Sequence, residues 1–214
     1  MDACGCDDFA SIFDRRTAEH DRDRYRRSGP DATTRMLRDL IVERGISGAS
    51  ILDIGGGIGI LDHELLQAGA SRAVLVDASP SYLAVAREEA ERLLLADRIT
   101  FVAGDFVRVA SDLDRADIVT LDRVICCYPD AAGLVRRSAE RAGQLYGLVL
   151  PRDWWWLRPL ARLMNLAYAI RRHGYRAFAH SNAMVDRLVA QAGLYPVAER
   201  TSYYWRVVLF ARAT

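Results

Sequence analysis

The stretch Ser50-Ile-Leu-Asp-Ile-Gly-Gly-Gly-Ile-Gly-Ile60 decides how the chain is read. Its first half is a short apolar run with one acid, Asp53, which is the pattern of a buried strand. Its second half holds glycines at 55, 56, 57 and 59. Glycine permits tight and left-handed turns and lets a ligand approach the backbone closely. The periodicity after it, Ile58 to Ala68, is helical and stops at Gly69. A strand, a glycine turn and a helix in that order aim helix-start amides at whatever sits on the turn.

The alternation continues on the C-terminal side. Strands are expected at Ala73–Asp77, Ile99–Ala103, Asp117–Leu121 and Leu145–Leu150. Helices are expected at Pro80–Leu94, Phe106–Leu113 and Ala131–Ala142. Short continuous apolar strands separated by helices imply a mostly parallel sheet covered on both faces. The chain then changes character. Trp154 to Arg172 is an aromatic, Arg-rich helix-like segment, and Asn182–Ala192 is a further helix. Tyr195–Arg200 and Tyr204–Arg212 are strands joined by too few residues for a parallel crossover, so they should pair antiparallel. Upstream, Thr34–Arg44 has helical spacing with Asp31 as its candidate cap. Residues 7–27 are charged with apolar spots at Phe9, Ile12, Phe13 and Tyr25, as in helices lying on another surface. The expected fold class is α/β: a Rossmann-like, doubly wound, mostly parallel seven-stranded sheet with an antiparallel C-terminal hairpin. A single domain spans 1–214, with a helical lid over 1–30 and an aromatic, Arg-rich insertion over 151–180.

Bulk properties narrow the function. The chain has 214 residues, 51% hydrophobic and 27% charged, with a net charge of +1. Nothing in that balance pulls the whole molecule onto nucleic acid. All 29 basic residues are Arg. The four cysteines, at 4, 6, 126 and 127, do not resemble a disulfide framework, which fits a reducing cytoplasm. Cys4-Gly-Cys6 alone is too small a set for zinc, and no metal site is expected. The N-terminus lacks a signal-peptide pattern, and Arg158, Arg162 and Asn165 interrupt the longest apolar stretch, so no membrane span is expected.

Two further acids join the glycine turn. Asp77 ends the second strand, 24 residues after Asp53, where a carboxylate can accept the hydroxyls of an adenosine ribose. Asp105 follows the third strand in Gly104-Asp105-Phe106. Three acids at the carboxyl ends of successive strands line one crevice, the place where open α/β sheets bind ligands. Two ligand classes use it: dinucleotides and S-adenosylmethionine. The dinucleotide fingerprint Gly-x-Gly-x-x-Gly, counted from Gly55, needs a glycine where the chain has Ile60. The glycines instead alternate at 55, 57 and 59.

On these residues the chain resembles the class I S-adenosylmethionine-dependent methyltransferases, over roughly residues 30–214. The family's strand-one motif corresponds to Asp53-Ile-Gly55-Gly-Gly57-Ile-Gly59. Its ribose-binding acid corresponds to Asp77, followed by Ala78. Its adenine-contacting pair corresponds to Asp105 and Phe106, and its fourth motif to Leu121-Asp122-Arg123-Val124. The resemblance implies that strand seven lies between strands five and six. It also implies a lid over the donor with Tyr25 near the methionyl end.

Within the superfamily, Leu121-Asp-Arg-Val-Ile-Cys-Cys-Tyr-Pro129 resembles magnesium-protoporphyrin O-methyltransferases, although Cys127 stands where that group carries His. The ubiquinone and menaquinone methyltransferases are a looser likeness. Nucleic-acid methyltransferases fit less well. The Asp/Asn-Pro-Pro-aromatic box is missing after strand four, and Cys127-Tyr128-Pro129 reverses the Pro-Cys order of the cytosine C5 type.

The expected activity is therefore methyl transfer from S-adenosylmethionine to a small-molecule acceptor. That acceptor is flat or hydrophobic and can carry a carboxylate. The alternatives are a dinucleotide-dependent oxidoreductase and a non-catalytic S-adenosylmethionine-binding scaffold. Candidate catalytic groups are Arg123, Tyr128 and His180. His180 reads either as a general base or as a surface histidine at a helix start. Trp154, Trp155 and Trp156 cannot all face one core. They are candidates for contact with a ligand, a membrane surface or another subunit, with Arg152, Arg158 and Arg162 available to acidic groups.

Overall fold

The computed structural model describes residues 13–153, 163, 165, 178 and 180–213. The Trp154–Arg172 segment and Cys4 and Cys6 lie outside that set, apart from Leu163 and Asn165. Helix α1 (Arg15–Ser28) is capped by Asp14, whose carboxylate accepts the Thr17 N–H. Helix α2 (Ala32–Val42) is capped by Asp31, which accepts from Thr33 and Thr34. Such caps satisfy amides that have no partner inside a helix. The repeating core follows as β1 (Ser50–Ile54), α3 (Ile60–Gln67), β2 (Arg72–Asp77), α4 (Pro80–Arg92), β3 (Ile99–Ala103) and α5 (Phe106–Val109). It continues as β4 (Ala116–Asp122), α6 (Ala131–Arg141), β5 (Ala142–Pro151), α7 (Asn182–Gln191), β6 (Leu194–Thr201) and β7 (Trp205–Arg212).

The strands form one seven-stranded sheet in the order β3-β2-β1-β4-β5-β7-β6. Strands β1 to β5 pair parallel. Strand β7 runs antiparallel to both β5 and β6 and lies between them. This is the Rossmann-like α/β sheet and C-terminal hairpin anticipated from the alternation. Chain order reverses between β1 and β4, and a crevice opens at that switch point.

Side-chain alternation along the strands explains how helices cover both faces. Ile51, Leu75, Ile118, Val149 and Leu209 face α2, α3 and α4, where Leu37, Ile41, Leu65 and Leu83 are buried. Leu52, Ile54, Val119, Leu121, Leu148 and Phe210 face the other layer with Leu134, Val135, Val185 and Val189. Each fully buried aliphatic side chain contributes about 1.5–3 kcal/mol. Tyr146 is also buried there, and its hydroxyl lies 2.7 Å from the Ser138 hydroxyl, so its polar end is satisfied. Gly147 lets α2 approach β5, because a Cβ there would meet Leu37 Cδ1 at 2.8 Å.

Several boundaries differ from the sequence expectation. The third helix begins at Ile60, because Gly59 occupies the preceding cap at φ +77. The helix expected over Phe106–Leu113 stops at Val109 and tightens into a 3-10 turn over Ala110–Asp112. Strand β5 is ten residues long and begins directly after α6. Its polar start, Ala142-Gly-Gln, lacks the apolar run that marks a buried strand, but pairing with β4 extends it. Among the described residues, no helix is long and apolar enough to cross a membrane.

Candidate donor-binding site

The carboxyl ends of β1, β2 and β4 and the turns after them enclose a cavity of about 490 Å³. That volume lies within the range of small-molecule and cofactor sites, about 300–1,000 Å³. Gly55, Gly56, Gly57 and Ile58 form one wall. Gly55 and Gly57 have φ of +66 and +59, in the left-handed region that glycine enters without Cβ strain. The Gly55 N–H donates to Val76 O at 2.7 Å, which ties the turn to β2. A Cβ at Gly55 would meet Val124 Cγ2 at 2.6 Å, so the turns after β1 and β4 touch. Gly59 does not line the cavity; its left-handed backbone starts α3.

The acids Asp53, Asp77, Asp105 and Asp122 all line this cavity, as do Ala78 and Phe106. Asp53 is 1% exposed and accepts the Thr120 hydroxyl at 2.6 Å. Burial pushes its carboxyl up, and Thr120 opposes that shift. Asp77 accepts the Gly57 N–H at 2.9 Å and the Ser79 N–H at 2.8 Å, one on each oxygen. Burial raises it too, against the pull of those two amides. Each oxygen retains a lone pair for a ligand hydroxyl. Asp105 caps α5 through the Val107 N–H and accepts the Tyr128 hydroxyl, 2.8 Å from Oδ1. Asp122 is raised by burial and held by the Thr34 hydroxyl and by Arg123 Nε at 3.0 Å.

Arg123 adopts φ +63, a conformation that carries strain for a side chain with a Cβ. Its guanidinium explains why the strain is held. It pairs with Asp122, reaches Asp31 at 2.5 Å and donates to the Thr34 hydroxyl at 3.3 Å. Burial pushes Asp31 up, but Arg123 and the α2 amides bring it down to about 2. Arg123 thus ties the start of α2 to the end of β4, and two protein carboxylates already compensate its charge.

Helix α1 closes one side. Phe13, Asp21 and Arg24 line the cavity. Asp21 accepts the Tyr82 hydroxyl at 2.8 Å, and Phe13 packs edge-on against the Tyr82 ring. Arg15 pairs with Glu88, and Arg26 with Glu89, both on α4. Tyr25 is placed elsewhere. It is turned away from the cavity, with its hydroxyl on Glu64 at 3.0 Å and its ring stacked on His63. The residues of α1 that do reach the cavity, Asp21 and Arg24, are one turn apart. Sequence reasoning read this stretch through its apolar spots and did not single out either residue.

His180 is also placed apart from the cavity lining. Its Nε2 lies 3.0 Å from the Tyr128 carbonyl, which can only accept, so Nε2 donates. Its ring stacks on Phe178, and burial lowers its pKa. Tyr128 lines the cavity, but its hydroxyl is engaged with Asp105. The remaining wall contains Val124, Cys126, Cys127 and Trp205. Cys126 and Cys127 are not joined by a disulfide, and their sulfurs lie 3.7 Å apart. Sequence reasoning did not single out Trp205, because the hairpin was read as structural. Among the described residues, no group of His, Cys, Asp or Glu could hold a metal ion.

Residues 51–141 match the methyltransferase-domain family. The chain is 32% identical over 96 residues to a ribosomal protein L11 methyltransferase from Psychrobacter sp.. It is 39% identical over 88 residues to a phenazine-1-carboxylate N-methyltransferase from Pseudomonas aeruginosa. These matches take in 44% and 41% of this chain and 31% and 25% of the two relatives, so the chain spans a third or less of their length. The crystal structure of magnesium protoporphyrin IX methyltransferase from Synechocystis, with S-adenosylhomocysteine bound, superposes with a TM-score of 0.67 at 21% identity. That superposition covers 95% of this chain and 85% of the other. Residues 51–141 thus match a methyltransferase-domain model, and the chain that contains them shares its fold with the magnesium protoporphyrin IX methyltransferase structure.

Proposed function

We propose that this chain is an S-adenosylmethionine-dependent methyltransferase acting on a small, flat or hydrophobic acceptor. One observation supports the reading above all: Asp53, Asp77 and Asp105 converge on one cavity beside a glycine turn. The residues present fit the donor. Four strand-end acids, Asp53, Asp77, Asp105 and Asp122, line the cavity, and S-adenosylmethionine brings a sulfonium and an ammonium that such acids favour. Gly57 leaves open space on the cavity side, where the nearest contact of a Cβ would be Tyr82 at 3.5 Å. Asp77 and Ala78 would hold the ribose, Asp105 and Phe106 the adenine, and Asp53 with the glycine turn the methionyl end.

When bound, the donor supplies a methyl group already activated by its sulfonium. The chain's own contribution is positioning. Oriented binding lowers a barrier by up to about 7–11 kcal/mol. The backbone at Gly55–Gly57 fixes the approach, and α1 roofs the cavity and restricts water. Tyr128 steadies the Asp105 carboxylate, while Arg123 secures the turn after β4. Val124, Cys126, Cys127 and Trp205 offer the acceptor an apolar wall. An acceptor carboxylate needs no base at neutral pH, in keeping with a lining that lacks histidine among the described residues. We extend the reading to one domain over 1–214 acting in the cytoplasm, with residues 1–30 as lid and 151–180 on the acceptor side. Trp154, Trp155 and Trp156 are then candidate acceptor contacts.

The test is donor-dependent methylation of a panel of flat aromatic acceptors, with and without a carboxylate, read as S-adenosylhomocysteine formed. Turnover of at least one aromatic acceptor supports the reading. Turnover only with protein or RNA substrates overturns the small-molecule part.

A further inference from the structure

Asp62, in the first turn of α3, looks like an ordinary surface helix acid in the sequence. The structure buries it completely, at 0% exposure. Neither of its carboxyl oxygens meets an N–H or O–H donor from any described residue. It lies instead against the carboxyl of Asp53, whose one donor among the described residues is the Thr120 hydroxyl, on Oδ1. Two carboxyls in contact, both shut off from water, cannot both ionise. The contact needs a hydrogen between the oxygens, and only a bound proton can supply it. The other groups bearing on the pair do not relieve it. Asp122 of β4 and Asp77 of β2 are acids that further disfavour charge on Asp53. His63, beside Asp62 in the chain, is held near 4 by burial and is neutral. Gly56 packs onto the same carboxylate, since a Cβ there would meet Asp53 Oδ2 at 2.6 Å.

We propose that Asp62 is a positioning residue that keeps one proton shared with Asp53, and that a cationic ligand in the cavity displaces this proton. The second half rests on the reading of the cavity as the donor site. Asp53 faces both ways: it lines the cavity and it touches Asp62. Positive charge brought to the cavity favours the ionised form of Asp53. Donor binding should therefore release protons near neutral pH, and affinity should rise with pH, by at most about tenfold per pH unit for one displaced proton.

The free protein tests the first half. Its infrared spectrum at neutral pH should contain a buried protonated-carboxyl stretch that Asp62→Asn removes. An Asn amide donates permanently to Asp53 and carries no titrating proton. A wild-type spectrum lacking that band overturns the shared proton without recourse to any variant or ligand.

The second half is read by titration calorimetry with S-adenosylmethionine in two buffers of different ionisation enthalpy. The expected result is measurable proton release, up to one proton, by the wild type near neutral pH, and none by Asp62→Asn, whose affinity should be flat over the same range. A merely structural Asp62 would change affinity or stability but leave the proton count alone. Wild-type binding with no proton released, or unchanged release in Asp62→Asn, refutes the coupling. Absence of donor binding refutes the donor-site reading instead, and the infrared band still decides the shared proton.

Discussion

Glu89→Gln tests how helix α1 is held against α4. The Glu89 side chain is fully buried, and each oxygen takes a two-pronged arginine contact. Arg26 Nε and Nη2 of α1 lie 2.8 and 2.5 Å from Oε2. Arg92 Nε and Nη2 of α4 lie 3.0 and 2.6 Å from Oε1. Burial pushes the carboxyl up, but the two guanidinium groups bring it down from 4.5 to about 2. That difference corresponds to about 3 kcal/mol in favour of the ionised form. The arginine side chains are 38% and 47% exposed, so solvent screening reduces the usable part to about 1–2 kcal/mol.

The sign follows from a depressed carboxyl. Its contribution is fully present above the ordinary value and is lost as pH falls through the folded value. Urea unfolding at neutral pH should therefore show Glu89→Gln less stable by about 1–2 kcal/mol. The gap should narrow as the pH drops from about 5 to 2. Because Phe13, Asp21 and Arg24 of the α1 region line the cavity, donor affinity should fall as well. A variant as stable as the wild type at neutral pH, or a gap that widens in acid, would refute the latch.

Other substitutions probe the cavity directly. Asp77→Ala removes the acceptor of the Gly57 and Ser79 amides and of a ligand hydroxyl, and should weaken donor binding about 10- to 100-fold by calorimetry. Tyr128→Phe removes one bond to Asp105 and should cost about 2- to 10-fold in the same assay. Gly56→Ala forces a methyl against Asp53 and Leu75 Cγ, the latter at 2.9 Å, and should lower stability by about 1–3 kcal/mol in thermal or urea unfolding. Asp62→Asn removes a carboxyl that burial pushes up. Such a group stabilises below the ordinary carboxylate pH and loses that contribution as pH rises through its raised value. The variant's stability, followed by urea unfolding, should therefore improve relative to wild type as the pH rises above the ordinary carboxylate range.

The fold was legible because its signals are local. Apolar strand runs such as Ile51–Ile54 and Val74–Val76, punctuated by Gly55–Gly59 and Gly69, set both element type and the parallel architecture. The two-strand ending followed from loop length alone. The placement of Asp53, Asp77 and Asp105 was equally readable, because strand ends in such a sheet share one edge. What stayed hidden depends on how elements rotate against one another. Asp21 and Arg24 look solvated until α1 is laid over the cavity, and Tyr25 turns towards Glu64 and His63. Arg123 reads as a free cation until Asp31 and Asp122 converge on it. Asp62 sits one turn into an amphipathic helix, and only the packing of α3 against β1 and the glycine turn shows that it is buried. His180 follows a stretch with no clear period, so its position relative to the cavity could not be inferred from spacing.

The central claim, that this cavity binds a methyl donor, is tested most directly by titrating the full chain with S-adenosylmethionine in a calorimeter. Saturable one-to-one binding is predicted, weakened by Asp77→Ala while the unfolding transition of that variant stays cooperative. No binding at millimolar donor, or binding that Asp77→Ala leaves intact, would contradict it.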